Sequence, residues 1–510
     1  MRHTRNFQRA AIAATIGLAV SFAPPALAAT GTTSEALRSA VSAENILTHL
    51  EALQEIADAN DGNRAADSPG YEASLDYIDE QLEAAGYDTH RQPFSYDRYD
   101  FVSASLERVS PTPEIYVHGA DEGFLDMTYS GSGDGAVPAA LTAVDLNLAG
   151  DRASTSGCEA GDFAGFTPGN IALIQRGTCA FRIKANNAFE AGASGVIIFN
   201  QGNVVPGDDR LGLFGGTLDL PQAEIPVVST SYATGVELAG LSGVEMRLSV
   251  DAGVSRIDSF NILADTGGRA DRTVVVGAHL DSVAEGPGIN DNGSGSAAIL
   301  ETALRMAGLD IEPTNRVRFA FWGGEEDGLI GSEHYVSELT ARQLKEHAVN
   351  LNFDMVGYPN FVRYVYDGDG SAFGEKGPNG SALVEKVFLD YFKSQNLPVA
   401  PTEFDGRSDY FGFINNGIPA GGLFTGAEGI KTAEEAAIFG GTAGLAYDKC
   451  YHAECDNIDN VNQAVLEEMA DAIAHATLTF AMTTSAVNGT TKGNGTGNVD
   501  LEYKGNKLLK

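Results

Sequence analysis

The sequence predicts an α/β fold in which a mixed, largely parallel sheet is flanked by helices and a small β-rich domain is inserted. In the second half of the chain, β-branched and aromatic runs alternate with helical patterns, as in a sheet with helical crossovers. Composition also shifts near residues 130 and 253, and these shifts bound a Gly-rich stretch of short strand patterns. With 510 residues, the chain is long enough for two domains.

Residues 1–28 have the pattern of a secretory signal peptide. Arg2, Arg5 and Arg9 form a basic start, residues 10–23 form a short apolar core, and Ala26-Leu27-Ala28 matches a cleavage site. We therefore expect export, to the extracellular space or the periplasm. No later stretch has about 18 uninterrupted apolar residues, so no membrane span is expected.

The four cysteines predict two local disulfides, Cys158 with Cys179 and Cys450 with Cys455. Each pair is close in sequence, and an exported protein meets oxidising conditions. The sequence alone leaves the other pairings open. A metal–thiolate site is disfavoured because the chain lacks a C-x-x-C unit.

The charge balance limits the possible partners. The chain has 33 basic and 69 acidic residues, for a net charge of −36, which argues against nucleic acid and anionic membranes. The acidic residues are spread along the whole chain, which favours solubility in a salty or extracellular medium as their role. We expect a monomer.

The main domain is predicted to begin with residues 29–129. Ile46, Leu50 and Leu53 lie on one helical stripe, and a second helical pattern follows Pro69-Gly70. Residues 88–96 predict a strand, and alternation up to about residue 128 predicts further edge strands of a larger sheet.

The inserted domain is predicted to span residues 130–253. It has strand patterns at 171–174 and 195–199 and a helix at about 183–191. The catalytic part of the main domain follows at 254–485 and ends in a helix at about 461–480, before a predicted flexible tail at 486–510. Its strand candidates are residues 261–264, 273–278, 317–322, 349–355, 362–366 and 418–424.

His279 and Asp281 stand just beyond the buried strand at 273–278, and Asp291 precedes a helical pattern. Imidazole and carboxylate groups are good ligands for a zinc-like ion, and Asp281 could accept the other ring N–H of His279. The alternative is a histidine without a metal and an Asp291 that only caps a helix.

Further candidates follow other strands of this half. Glu325 and Glu326 come after the strand at 317–322, and two adjacent carboxylates can divide metal binding and proton transfer between them. Their alternative is a solvated acidic turn. Asp354 ends the next strand, and His452 lies between two cysteines that would hold it rigidly. Loops at the ends of parallel strands gather at one edge of a sheet.

Together these motifs resemble the zinc aminopeptidases of the M28 peptidase family over about residues 40–120 and 255–485. The segment from Gly169 to Phe181, followed by Lys184-Ala185 and Ala191-Gly192-Ala193, resembles the protease-associated (PA) domain inserted in several secreted peptidases. No convincing ligand set lies in that insertion, so its implied role is cover or substrate access.

The M28 resemblance implies two zinc ions per chain. Asp291 would bridge them, with His279 and Asp354 on one ion and Glu326 and His452 on the other. Together with a shared water, each ion would then have about four ligands, as zinc prefers.

The resemblance also implies catalytic roles. Glu325 would be the general base for a water activated by the zinc pair, and the Tyr451 hydroxyl would stabilise the oxyanion. Asp281 would support His279. Arg407 matches a family position that lines the N-terminal pocket, with an ordinary surface salt bridge as the alternative.

The sequence thus predicts a secreted di-zinc aminopeptidase acting on peptide or protein N-termini. Phe411, Phe413 and Phe424 suggest an apolar pocket for large residues such as leucine, although aromatic residues near strands more often pack in the core. One alternative is a carboxypeptidase or dipeptidase of the same fold, which would need basic residues for a substrate carboxylate. The other is a non-catalytic, receptor-like binding protein.

Overall fold

The computed structural model describes residues 34–205 and 208–488. The predicted signal peptide and residues 489–510 of the predicted tail lie outside the described residues. The helices are α1 Glu35–Ala40, α2 Ala43–Ala59, α3 Pro69–Ala84, α4 Phe181–Glu190, α5 Tyr232–Gly240, α6 Gly295–Gly308, α7 Ile330–Ser337, α8 Ala341–Glu346, α9 Ser381–Ser394, α10 Phe411–Asn415, α11 Ala433–Phe439, α12 Gln463–Met482 and α13 Ser485–Asn488.

The strands follow the same chain order. They are β1 Thr89–Ser110, β2 Glu114–Tyr116, β3 Phe124–Asp126, β4 Ala139–Val144, β5 Ile171–Gln175, β6 Gly195–Phe199, β7 Val204–Val205, β8 Asp208–Asp209, β9 Val227–Thr230, β10 Glu245–Asp265, β11 Arg269–His279, β12 Asn315–Trp322, β13 His347–Phe353, β14 Tyr364–Tyr366, β15 Ala400–Thr402 and β16 Ala420–Phe424.

The central sheet has the order β15-β14-β16-β13-β11-β12-β10-β1. Its middle strands β16, β13, β11 and β12 are parallel, and β15 is parallel to β14. The antiparallel pairs are β14 with β16, β10 with β12, and β1 with β10. The predicted fold class, a mixed and largely parallel sheet flanked by helices, is confirmed.

Helices cover both faces of this sheet. Val274 and Val276 of β11 pack into the larger core, which also contains α6 and α12, whereas Val275 packs into the core formed with α7 and α10. A strand buried on both faces cannot alternate with polar residues, so β11 appears in the sequence as an uninterrupted β-branched run.

A long antiparallel ribbon joins the central sheet to the inserted domain. β1 and β10 have 22 and 21 residues and pair from Thr89 with Ala264 to Ser110 with Glu245. The sequence predicted a strand at 88–96 and separate strands after it. In the structure, residues 89–110 form one continuous strand. Alternation marks extended chain, but it does not reveal where a strand passes from one sheet to another.

The inserted domain is built on parallel strands β4, β5, β6 and β9, with β3 antiparallel to β9. Two apolar cores lie on opposite faces: Ile174 and Ile198 belong to one, and Leu173 and Ile197 belong to the other. Cys158 is bonded to Cys179. Across residues 34–205 and 208–488, no helix is both long and apolar enough to cross a membrane.

Candidate metal centre

Three neighbouring parallel strands deliver reactive side chains to one edge of the sheet. His279 is the last residue of β11, Glu325 and Glu326 follow the end of β12, and Asp354 directly follows β13. Because β13, β11 and β12 are adjacent and parallel, their carboxyl ends lie side by side. The sequence predicted this gathering, and the structure brings these residues together.

Asp291 enters the same site from an irregular turn, Ile289–Ser294, that precedes α6. Its carboxylate does not cap the helix. The oxygen that accepts the N–H of Gly295, at 2.9 Å, belongs to Asn292. The reading of Asp291 as only a helix cap is therefore wrong, because its side chain turns towards two histidines.

Asp291 lies between the two imidazoles. Its Oδ1 is 3.3 Å from Nε2 of His279, and its Oδ2 is 3.3 Å from Nε2 of His452. Asp354 Oδ1 is also 3.3 Å from Nε2 of His279, and Glu326 Oε2 is 3.0 Å from Nε2 of His452. The residues form two groups that share Asp291, and within each group the candidate ligand atoms lie within 4.8 Å of one another.

The charges and orphaned atoms of this cluster fit metal ions. Asp354 Oδ1 and Glu326 Oε1 are buried and have no hydrogen-bond partner. Burial raises the pKa of Glu326 to about 8, with the charge of Asp291 adding to the effect. Burial alone would lower the pKa of His452, but its hydrogen bonds to Asp291 and Glu326 raise that pKa to about 10. The cluster thus takes up positive charge, as protons or as cations.

The donor chemistry selects among the cations. Each group offers one imidazole nitrogen, one carboxylate of its own and one oxygen of the shared Asp291. A set of three nitrogen and oxygen ligands with an open position is typical of catalytic zinc, whereas Mg²⁺ and Ca²⁺ prefer oxygen alone. The residues therefore fit a pair of zinc ions.

Glu325 stands beside the two groups without belonging to either. Its Oε2 is 3.9 Å from Nε2 of His279, and its side chain lines the cleft together with Asp291 and Glu326. Burial raises the pKa of Glu325 well above its ordinary value. Its carboxylate is not among the grouped candidate ligand atoms.

Asp281 is placed differently from the expectation. The group nearest Nδ1 of His279 is the backbone carbonyl of Asp281, at 3.1 Å, whereas the carboxylate is 3.7 Å away. That carboxylate instead accepts the backbone N–H groups of Glu325 and Glu326, at 3.3 and 3.4 Å. Asp281 therefore holds both the histidine and the acidic turn.

Ser408 supports Asp354 and was missed from the sequence. Its hydroxyl donates to Asp354 Oδ2 at 2.5 Å and accepts a hydrogen bond from Asn352 Nδ2 at 2.8 Å. Asn352 and Asp354 are two residues apart on an extended segment, so their side chains share one face. That shared face was the only sequence signal that a common partner could contact both. Ser408 comes from a distant loop that carries no such signal.

Asp456 links the disulfide loop to Asp291 and was also missed. Its carboxylate accepts the backbone N–H groups of Asn290 and Asp291, at 3.0 and 2.9 Å. The same loop, closed by the bond between Cys450 and Cys455, carries His452. One short segment therefore presents His452 and positions Asp291.

Tyr451 and Arg407 line the cleft as neighbours. The Tyr451 ring stacks on the imidazole of His452, with 3.8 Å between the ring centroids. Arg407 donates to the Tyr451 hydroxyl at 3.2 Å and to Glu428 Oε1 at 2.8 Å. Arg407 both forms a salt bridge with Glu428 and lines the cleft. The surface salt bridge and the position in the pocket, which were alternative predictions, are therefore compatible.

The apolar part of the cleft differs from the prediction. Of the three phenylalanines considered, only Phe424 lines the cleft. Phe411 and Phe413 are buried in two separate cores. Met355, Tyr366 and Ala427 supply further apolar lining that the sequence did not reveal.

Comparison with known proteins shows which families the chain resembles. Residues 261–477 match the sequence profile of Peptidase family M28, and residues 140–238 match that of the PA domain. An aminopeptidase of Pseudomonas aeruginosa is 49% identical over 451 residues, which are 88% of this chain and 82% of that protein. The chain belongs to peptidase family M28. Leucine aminopeptidase 2 of Trichophyton tonsurans is 38% identical over 454 residues, which are 88% of this M28 chain and 86% of the Trichophyton protein.

Two solved aminopeptidase structures have the same architecture. An aminopeptidase from Aneurinibacillus sp. strain AM-1 superposes with a TM-score of 0.65 at 26% identity, covering 87% of this chain and 95% of that one. BSAP, a zinc aminopeptidase from Bacillus subtilis, superposes with a TM-score of 0.57 at 25% identity. The match covers 86% of this chain and 94% of that one. This M28 protein is a metallo-exopeptidase of the aminopeptidase type with a PA domain inserted.

The support of Asp354 by Ser408 can be tested through metal affinity. Ser408→Ala removes the hydrogen bond to Asp354 Oδ2, and loss of such an outer partner typically weakens zinc binding by about 10-fold or more. The dissociation constant is measured by competition with a chelating indicator. Ser74→Ala, which removes an equally buried hydroxyl bonded only to the Gly70 carbonyl of α3, is the control. Equal affinities in the two variants would contradict the role of Ser408.

Proposed function

We propose that this protein is a secreted di-zinc aminopeptidase that releases large apolar residues, such as leucine, from peptide N-termini. The observation that carries the proposal is the shared carboxylate: the two oxygens of Asp291 face two imidazoles, and Glu325 lies beside them outside both ligand groups. A pair of metal sites next to a carboxylate outside both groups suits hydrolysis by an activated water.

One zinc would be held by His279 and Asp354, and the other by Glu326 and His452. Asp291 would be a ligand of both ions. Zinc in such a site acidifies a bound water and polarises a carbonyl. The description of BSAP as a zinc aminopeptidase supports this choice of metal.

Glu325 would carry the proton during hydrolysis. Its carboxylate takes a proton from the attacking water as the water oxygen bonds to the scissile carbon, and then delivers the proton to the leaving amine as the C–N bond breaks. Its raised pKa suits a group that must hold the proton between these steps. Asp281, which fixes the backbone of this turn, keeps the carboxylate in place.

Tyr451 would stabilise the oxyanion. Its hydroxyl oxygen already accepts a hydrogen bond from Arg407, so its own hydrogen is free to be donated into the cleft. Burial raises the pKa of Tyr451, which keeps the hydroxyl protonated. Arg407 therefore orients the donor in this proposal.

The charges of the cleft favour a free amino terminus as the substrate group. Its lining is strongly acidic and includes Glu325, Asp354, Glu403 and Asp405, whose negative charge would offset that of an α-ammonium group. Arg407 is already paired with Glu428. A carboxypeptidase needs a cation for the substrate carboxylate, and Arg407 is the one basic side chain among the described residues of the lining. The aminopeptidase names of the relatives point the same way.

The preferred side chain follows from the apolar lining. Met355, Tyr366, Phe424 and Ala427 give the cleft an apolar wall next to the ligand groups. The name of the Trichophyton relative, leucine aminopeptidase, supports a large aliphatic residue. The predicted signal peptide and the two disulfides support secretion. We propose a monomer.

The two adjacent glutamates give a direct test of the mechanism. Glu325→Gln should keep both zinc ions and lower kcat by about 10² to 10⁴, because proton transfer is lost. Glu326→Gln should weaken the second zinc and leave the fold unchanged. Zinc content by atomic absorption and steady-state kinetics separate the two. If Glu325→Gln lost zinc while Glu326→Gln kept both ions and slowed chemistry, the roles would be reversed.

Removal of the Tyr451 hydroxyl tests the oxyanion role. Tyr451→Phe keeps the ring stacked on His452 and should lower kcat by about 10² with little change in KM, as expected for a donor that acts in the transition state. Tyr447→Phe is a matched control, because its hydroxyl bonds Tyr364 and Glu435 away from the ligand groups. A kcat in Tyr451→Phe equal to that of the control would rule the role out.

Substrate blocking tests the class of peptidase. A series of aminoacyl fluorogenic substrates should give the highest kcat/KM for leucine and other large apolar residues, and N-acetyl-leucyl substrate should not be cleaved because the free amine is required. Fastest turnover on acidic or basic residues would overturn the apolar preference. Cleavage of the acetylated substrate would overturn the aminopeptidase assignment itself.

A further inference from the structure

Arg64 is completely buried beside the metal centre, although it contributes no ligand. It lies in the connection between α2 and α3, in the helical part of the chain that precedes the inserted domain. Its sequence position is more than 200 residues from every predicted ligand. A fully buried guanidinium is costly unless its donors are satisfied and its charge is balanced, so its contacts indicate what it does.

All three guanidinium nitrogens donate to one segment. We call residues 280–290, which join His279 to Asp291, the metal loop. Arg64 Nε donates to the Pro287 carbonyl at 2.9 Å, Nη2 donates to the Gly288 carbonyl at 2.7 Å, and Nη1 donates to the Leu280 carbonyl. The two ends of the metal loop are thereby tied to one rigid planar group.

The backbone of Arg64 adds to this attachment. Its N–H donates to Ser282 Oγ at 2.9 Å, and its carbonyl accepts the N–H of Ser282 at 3.2 Å. Gly288 has a φ of +60° and no room for a side chain, because a Cβ there would lie 2.5 Å from Ser282 Cβ and 3.3 Å from Arg64 Nη2. The loop is folded closely around the arginine.

The charge of Arg64 also suits the site. Burial lowers the pKa of Arg64 to about 10, so the group stays positive at neutral pH, and the surrounding charges are those of Asp281, Asp456 and Glu326. The guanidinium nitrogens donate to backbone carbonyls. The positive charge of Arg64 therefore offsets the negative charge of these carboxylates without occupying the oxygens that would bind metal. An arginine bonded directly to the ligands would compete with the ions.

We propose that Arg64 is a positioning residue for the metal pair: it closes the metal loop so that His279 and Asp291 meet at one ion, and it places a positive charge behind the acidic ligands. This inference rests on the proposed di-zinc function. It makes the segment before the inserted domain part of the metal site, and not only a cover for the sheet.

The test compares Arg64 with a second arginine that makes the same kind of contacts elsewhere. Arg182, in the inserted domain, donates to the carbonyls of Leu218, Asp219 and Pro221. The full-length variants are Arg64→Met, which removes charge and hydrogen bonds, Arg64→Lys, which keeps the charge, and the matching pair Arg182→Met and Arg182→Lys. Each is stripped of metal, checked by circular dichroism, and titrated with zinc and with Co²⁺.

Arg64→Met should lower zinc affinity by about 10- to 100-fold and change the visible d–d spectrum of the Co²⁺ protein, which reports ligand geometry. Arg64→Lys should lie between Arg64→Met and wild type. Both Arg182 variants should keep wild-type zinc affinity and Co²⁺ spectrum, even where the melting temperature falls.

Zinc affinity and Co²⁺ spectrum unchanged in a folded Arg64→Met would overturn the inference. If Arg64→Met does not fold, Arg64→Lys decides by the same two measurements, with unchanged values again overturning it. Failure of the wild-type protein to bind two zinc ions would instead overturn the proposed function, which separates the two outcomes.

Discussion

The structure of this site depends on one buried carboxylate placed between two imidazoles. Asp291 can face both His279 and His452 only because one histidine ends a central strand and the other lies on a disulfide-closed loop. Taking so many carboxylates out of water costs several kcal/mol per ion unless positive charge accompanies them. Positive charge, as protons or as metal ions, is therefore needed to stabilise this acidic cluster at the carboxyl edge of the sheet.

Three of the five candidate metal ligands, Asp291, Asp354 and Glu326, are held by groups from other parts of the chain. Asp456 fixes the backbone of Asp291, Ser408 fixes the carboxylate of Asp354, and Asp281 fixes the turn that carries Glu325 and Glu326. Such outer partners set the direction of a ligand and so its affinity for the ion. The scaffold thus separates two tasks: strands bring the ligands to one edge, and distant loops aim them.

The inserted domain is attached in a way that leaves this edge intact. The chain enters and leaves it along the β1–β10 ribbon, at the side of the sheet beyond β12. The grouped candidate ligands among the described residues all lie outside residues 130–253. The candidate metal centre therefore belongs to the main domain and not to the insertion.

The sequence by itself determined the fold class and the chemical candidates. Strands buried on both faces must be apolar runs, and reactive residues at a sheet edge directly follow such runs, so His279, Glu325, Glu326 and Asp354 could be found from local pattern alone. Resemblance to the family added the pairing of ligands. These features are local, or they belong to motifs short enough to be recognised.

Tertiary structure decided which side chains support the site and which only pack. It placed Phe411 and Phe413 in cores and Phe424 in the cleft, although the three look alike in sequence. It also brought Arg64 to a loop 216 residues away. A hydrogen bond between residues so far apart leaves no periodicity, spacing or composition to detect, because its geometry exists only once the sheet and its helices have packed.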